Sequence, residues 1–362
     1  MTKLRKVTSI LAVTLYATII LLPLYLALQR LVWVTGFSPF EWIDSLNNNY
    51  ISQGVIEFTV IQAIFSTVFT LLIGIPIAWT LGRYKWPFES FIRTILTMPF
   101  VIPSIIAAMG ILTIVGHHGL NLRTNESTWW WTLIVSHAWF NMALVIRFCE
   151  PVLSTLDPEL EEQLRLLPNG QSKFSRLRNL WLPLLTPSII AAACMTFVFS
   201  FTSFALVRWI TVGNNTLESM MADVSSSAGI KGYMESTSKI VMGASVIQFS
   251  ILLLSLWITS VIQRKRQAKL PQSSPLHSQK KNSRGWLILI PAIGFALLPL
   301  ISVGIGSFRI RESIDDEIRF RWGLEGWYLA FEGSYSFPPL IDACLLYTSD
   351  AADEEDSVDL GG

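Results

Sequence analysis

The stretch DPELEEQLRLLPNGQSKFSRLRNLWLPLLTP, residues 157–187, brings acids, bases, a Pro-Asn-Gly turn and regularly spaced leucines together between two long apolar runs. Leu160, Leu164 and Leu167 recur at i, i+4 and i+7 and therefore share one helix face. Glu161 and Glu162 fall near the start of that helix, where carboxylates suit its dipole, and Pro158 fits its first turn because the missing N–H is not needed there. Pro168, Asn169 and Gly170 then break the chain, the glycine permitting a positive φ. Phe174 and Leu177 resume the apolar stripe, flanked by Lys173, Arg176 and Arg178. An apolar face rimmed by charge makes and breaks no bonds; its chemistry is docking, and the spacing predicts a helix-turn-helix knob.

Bond-making chemistry finds little support elsewhere. The four histidines are His117, His118, His137 and His277, and no HExxH, GxSxG or clustered His/Asp/Glu set with metal spacing accompanies them. His117 and His118 are adjacent, so their side chains point apart on a helix or strand, and they read as a solvated loop rather than a metal pair or a contact for a delivery protein. His137, near Trp139 and Asn141, reads as a hydrogen-bonded packing residue. Cys149, Cys194 and Cys344 lack CxxC spacing and read as small hydrophobes. Without a Gly-rich phosphate loop, any ATP hydrolysis must come from another chain. No metal, cofactor or nucleic-acid partner is expected of this one.

The elements that carry these residues are set by hydropathy. Of 362 residues, 51% are hydrophobic and 15% charged, against about 25% charged in soluble domains, and the formal net charge is +1. The expectation is an all-α integral membrane protein, a multi-spanning helical bundle, since backbone groups in lipid must bond within their own segment. Seven runs are long enough to cross: 8–28, 56–82, 94–115, 129–148, 184–207, 239–262 and 286–307. Basic residues fix the orientation. Lys3, Arg5 and Lys6 precede the first run; Arg83, Lys85 and Arg93 follow the second; Arg165, Lys173, Arg176 and Arg178 lie between the fourth and fifth; a cluster from Arg264 to Arg284 follows the sixth. By the positive-inside rule the N-terminus, the 83–93 loop, the 149–183 loop that holds the knob and the 263–284 linker are cytoplasmic. The first run is too long for a signal peptide, and Tyr25 occupies a position that cleavage needs small. Trp129, Trp130 and Trp131 anchor the outer interface, and the Asn125 sequon is a chance match.

The pattern restarts near residue 281. A basic cluster followed by an apolar run with LLPL at 21–24 is echoed by Lys280–Arg284 and LLPL at 297–300, and the pair Trp42/Tyr50 is echoed by Trp327/Tyr335. This divides the chain into a first half, 1–262, with six membrane helices; a linker, 263–284; and the start of a second half, 285–343. Where the repeat calls for another helix, the chain runs CLLYTSDAADEEDSVDLGG. Residues 344–362 are similar to translated sequencing-adapter read-through, so a non-native tail and a longer natural protein are expected.

Gly170, nine further residues, and Leu180-Trp181-Leu182-Pro183 resemble the second half of the EAA loop, EAA-x3-G-x9-I-x-L-P, of the permease subunits of type I ABC importers. Counting back from Gly170, Leu164-Arg165-Leu166 occupies the EAA positions, and Glu161-Glu162 stands about two residues early. The segment 59–93 is similar to the second helix of such permeases, and SFTSFALVRWITVGNNTLESMM at 200–221 resembles the post-loop helix of the double-length thiamine permeases, relatives of the ferric iron permeases. The likeness spans 1 to about 343. It implies a pore driven by a cytoplasmic ATP-binding subunit dimer, which holds ATP and Mg, and fed by an extracytoplasmic solute-binding protein. It assigns coupling to Glu161, Glu162, Leu164, Gly170, Leu180, Leu182 and Pro183. Thiamine or a related small cation is the implied solute, with ferric iron or another small solute as alternatives.

A thiamine-like cation suits aromatic and hydroxyl surfaces, which makes Phe201, Thr202, Ser203 and Phe204 the candidate substrate path; the same residue types also pack helices. A proton-coupled transporter and an intramembrane enzyme remain the rival classes. The first would place ionisable relays at mid-depth, where the runs hold His137 alone.

Overall fold

The structure, a computed structural model, describes residues 2–48, 54–116, 119–120, 126–154, 163–167, 172–211, 213–226, 234–267, 283–314 and 317–333. Its helices are α1 (Thr2–Thr35), α2 (Pro39–Asn48), α3 (Val55–Arg83), α4 (Glu89–Val101), α5 (Ser104–Val115) and α6 (Glu126–Ser154). These are followed by α7 (Lys173–Arg176), a π-helical turn (Leu177–Trp181), α8 (Leu182–Phe201), α9 (Ala205–Ile210), α10 (Leu217–Ser226), α11 (Met234–Gln267) and α12 (Trp286–Gly306). A hairpin of β1 (Arg309–Ile314) and β2 (Glu317–Trp322) and then α13 (Glu325–Glu332) complete the described chain.

Six helical stretches are long and apolar enough to cross a membrane: Val13–Thr35, Val55–Arg83, Ser127–Ser154, Phe174–Phe201, Ser238–Ile262 and Ser283–Gly306. The third expected run, 94–115, is not a straight helix. It is the pair α4 and α5, bent by 99°. Pro103 causes the break: it lacks an N–H and pushes the residue before it out of helical geometry, so Ile102 (φ −76°, ψ 139°) and Pro103 (φ −52°, ψ 131°) are both extended. With 13 and 12 residues, the two pieces are about 20 Å and 18 Å long, so neither alone spans a ~30 Å core. The fifth expected run, 184–207, is also displaced. The helical path starts at Lys173 and stops at Phe201, and residues 202–204 separate α8 from α9.

The centre of the bundle is the seam between α3 and α6. Gly74, Ala78 and Gly82 are four residues apart on α3 and form a small-residue stripe that lets the helices meet at backbone distance. A Cβ on Gly74 would lie 2.6 Å from Val145 Cβ, and one on Gly82 2.7 Å from Leu153 Cβ and 2.9 Å from the Glu150 carbonyl. Ala78, Val145, Cys149 and Leu153 continue this core into Trp181 of the π turn and Leu185 and Ala192 of α8. At the other end, Leu46, Val55, Ala63, Phe201, Leu217 and Ile240 join α2, α3, α8, α10 and α11.

α12 seats against α4, α5 and α6. Trp139 Nε1 donates to the Ala296 carbonyl (3.2 Å), Trp286 meets Trp86 edge to face (5.1 Å), and Gly110 allows the Pro299 backbone to approach. α1, which the repeat pairs with α12, exposes Leu21, Leu22 and Leu24 of its own LLPL. Among the described residues the all-α expectation has one exception, the antiparallel hairpin that pairs Arg309 with Trp322 and Ile314 with Glu317. Its EIRFRW strand alternates polar and apolar residues, the period of a strand rather than a helix.

Candidate functional site

The 157–187 segment leaves the bundle at the end of α6 and returns through α7 and the π turn. Residues 163–166 form a helical turn; Glu161, Glu162 and Gly170 lie outside the described residues. Leu164 is half-buried, whereas Leu166, Leu167, Phe174 and Leu177 are exposed, Leu166 at 85% and Phe174 at 73%. Four large apolar side chains on a charged segment thus have no cover within the described chain. Leu182 and Pro183 are exposed too, while Leu180 packs at the edge of the core around Trp181.

The return root is anchored by Trp181, buried at the end of the π turn. It meets Trp79 edge to face at 4.7 Å, and the Arg83 guanidinium lies 4.2 Å from its ring centroid. The departing root is anchored by Glu150, a buried carboxylate whose Oε1 pairs with the Arg93 guanidinium of α4; the same nitrogen of Arg93 also pairs with Glu89 at 2.6 Å. Arg83 and Arg93, which in the charge pattern mark the cytoplasmic side, also hold the two roots. Their second role was encoded in charge placement: an acid, Glu150, at the end of one apolar run and a base, Arg93, at the start of another.

A second constellation lies where α8 breaks. Ser203 Oγ hydrogen-bonds His137 Nε2 at 2.9 Å, and His137 Nδ1 bonds Ser66 Oγ at 2.9 Å, so one ring nitrogen donates and the other accepts. Gln62 Nε2 donates to the carbonyls of Ser200 (2.7 Å) and Thr59 (3.2 Å), and Asn141 Nδ2 donates to Ser200 Oγ (3.2 Å). Thr216 Oγ1 donates to the Ser203 carbonyl at 3.1 Å, and Thr59 Oγ1 accepts the Leu217 N–H at 3.1 Å. The Ser200 and Ser203 carbonyls at the break are therefore satisfied by Gln62 of α3 and by Thr216, the residue before α10, while Asn141 and His137 of α6 hold the Ser200 and Ser203 hydroxyls, which is how a broken helix survives in a membrane. Gln62 Oε1, Asn141 Oδ1 and Thr196 Oγ1 stay buried without a hydrogen-bond partner.

Of the four substrate-path candidates, Ser203 belongs to this belt. Phe201 is buried against Phe197 (5.6 Å), Thr202 bonds back to the Val198 carbonyl (3.0 Å), and Phe204 is 42% exposed. His137 is the hydrogen-bonded packing residue expected of it. The belt's signal was present in the sequence as polar residues at helical spacing: Thr59, Gln62, Ser66 and Thr70 on α3, His137 and Asn141 on α6, Thr196 and Ser200 on α8. Among the described residues no three His, Cys, Asp or Glu side chains gather as a metal site. A separate cleft of about 300 Å³ between α5, α6 and α12 is lined mainly by apolar groups, among them Ile111, Trp131, Trp139 and Phe295.

Residues 74–267 match the family described as binding-protein-dependent transport system inner membrane component. The chain is 26% identical over 209 residues to the sulfate transport system permease protein CysT of Salmonella typhimurium, covering 56% of this chain and 72% of that one. It is 27% identical over 176 residues to the spermidine/putrescine transport system permease protein PotC of Escherichia coli K12, covering 49% and 63%. In fold it is similar to a crystal structure of a bacterial ABC transporter involved in import of the acidic polysaccharide alginate, with a TM-score of 0.56 and 13% identity over 75% of this chain and 98% of that one.

Proposed function

This chain belongs to the binding-protein-dependent transport system inner membrane components, and we propose that it is the permease subunit of an ABC importer whose 157–187 loop seats in a separate cytoplasmic ATPase. The observation that carries the reading is the loop itself. Leu166, Leu167, Phe174 and Leu177 present an exposed apolar surface on a segment whose two roots are anchored in the core. An exposed apolar patch of this kind marks an interaction site. ATP and Mg belong to the partner, and the solute reaches the pore from an extracytoplasmic binding protein.

Orientation follows from the basic residues. Arg83, Lys85, Arg93, Arg176 and Arg178 stand at the ends that meet around Trp86, Trp181 and Trp286, so that face is cytoplasmic and the N-terminus is on the same side of a prokaryotic cell membrane. The solute we favour is thiamine or a related small cation, on the resemblance of 200–221 to thiamine permeases and on the exposed aromatic ring of Phe204 beside the belt. The similarity to a sulfate permease gives a second reading, sulfate.

The test is coexpression with a cognate ATP-binding subunit, copurification, and ATP-driven uptake of labelled thiamine, putrescine and sulfate into vesicles. Copurification with saturable thiamine uptake is the expected result. Uptake of sulfate alone would select the second reading, and uptake that proceeds without ATP or ATPase would overturn the permease assignment.

A further inference from the structure

We infer that Arg93 and Glu150 form the joint through which movement of the 155–172 loop reaches the bent third span, an inference that rests on the permease reading above. The loop enters the bundle at two roots, and the roots are tied differently. The return root is fixed to α3 by Trp79 and Arg83 around Trp181, and α3 is locked to α6 by the Gly74 and Gly82 contacts. That root belongs to the rigid centre. The departing root shares the seam through the Gly82 contacts with Glu150 and Leu153, but its Glu150 side chain also reaches outward to a further helix. Glu150, near the end of α6, holds Arg93 of α4, and Glu89 pairs with the same guanidinium nitrogen.

α4 is built to follow such a tie. Its buried residues are Ile92, Leu96 and Pro99, while Phe91, Met98 and Val101 are exposed. Its apolar stripe packs between Met142 and Ile146 of α6 and Leu289 and Ala292 of α12, Phe100 meets Phe140 and Phe199 near its far end, and the ion pair ties its first turns to α6. At its far end are Ile102 and Pro103, two extended residues between helices at 99°, and element-terminal residues of this kind absorb the φ/ψ change of a hinge. Beyond the hinge, α5 packs through Ala107, Ala108 and Ile111 onto Leu206, Val207 and Ile210 of α9, the short helix that follows the polar belt. A displacement at Glu150 is thereby delivered along α4, across the hinge, to the segment after the α8 break. Glu150 and Arg93 contact neither solute nor nucleotide in this scheme; they are positioning residues.

The test uses the whole chain assembled with its ATPase in nanodiscs, reading amide hydrogen exchange with and without adenylyl imidodiphosphate and Mg. In the parent protein nucleotide should change exchange both in 150–167 and in 89–115. With Glu150→Gln the change in 150–167 should persist while that in 89–115 falls about fivefold or more, the low end of coupling between sites. Arg93→Gln cuts the joint from the other side and should match it, and the exchanged pair Arg93→Glu with Glu150→Arg should restore the response. A merely structural pair would lower the yield of assembled complex without uncoupling the two regions.

An undiminished response of 89–115 in assembled Glu150→Gln would overturn the inference. So would a parent protein in which the loop responds and 89–115 is silent, leaving the permease reading intact. A parent in which nothing responds, the loop included, would defeat both. If both single variants fail to assemble, assembly and response of the exchanged pair supports the joint, and failure of the exchanged pair as well counts against it.

Discussion

Trp181 offers a direct measure of how firmly the loop's return root is held. Trp181→Leu removes the Arg83 contact at 4.2 Å and the Trp79 edge contact at 4.7 Å while leaving an apolar side chain in place. A cation–π contact is worth about 0.5–2 kcal/mol, toward the upper end when desolvated, and an aromatic pair about 0.5–1.5 kcal/mol. Trp181 is only 3% exposed and Arg83 is half-buried, so the cation–π part belongs in the upper half and the combined loss is about 2–3 kcal/mol. Arg83 also has other interactions, so its own truncation to Met overstates the contact. A double-mutant cycle over Arg83→Met and Trp181→Leu removes that excess, and the coupling should be about 1–2 kcal/mol. The assay is equilibrium unfolding of the purified chain in mixed micelles titrated with SDS, followed by helicity. A coupling below about 0.5 kcal/mol, within the scatter of additive sites, would refute the reasoning and reduce the stacked guanidinium to a neighbour of no consequence.

Gly74→Val places a branched side chain where even a Cβ would stand 2.6 Å from Val145 Cβ; overpacking should cost about 1–3 kcal/mol in the same titration, and pairing it with Val145→Ala should recover part of the loss. His137→Leu leaves the Ser66 and Ser203 hydroxyls without their shared partner and should destabilise by about 1–3 kcal/mol, whereas His137→Gln, which can still bond, should lose less; equal losses would show that volume rather than hydrogen bonding matters there. Gly170→Val should leave the amount of inserted protein unchanged, because apolar spans and basic loops set insertion, but should reduce ATPase copurification if a positive φ is needed at the turn; normal insertion with full copurification would count against the coupling role.

The helices were legible because lipid leaves the backbone a single economical choice, and composition alone located the strongly apolar runs Val55–Arg83, Ser238–Ile262 and Ser283–Gly306 to within a few residues. The bend was not. Pro99 and Pro103 lie four residues apart in a run whose hydropathy is continuous, and hydropathy cannot say which proline stops a helix. The structure keeps Pro99 inside α4 and breaks at Pro103, where Ile102 has turned extended. The fifth span failed for the opposite reason. Charge at Lys173, Arg176 and Arg178 assigns these residues to a short helix of the knob, separate from the span, yet they continue into the helical path of α8, because Trp181 and Leu185 carry an apolar stripe onto α3 and α6.

The functional groups divide along the same line. A docking knob announces itself because its residues contradict their surroundings, charges and a turn between two greasy runs. The joint at Arg93 and Glu150 and the belt around Ser200 make no such contrast, since each residue is ordinary on its own helix and acquires meaning from a partner 57 residues away for Glu150 and Arg93, or from 138 away for Gln62 and Ser200. Pairing across helices is a tertiary fact. What the sequence does hold is each half of the pairing: an acid or base where an apolar run ends, and a polar residue every third or fourth position within one. Because burying a polar group in lipid is costly, such a stripe predicts a facing stripe, and here Gln62 meets Ser200 and Ser66 meets His137, which in turn reaches Ser203.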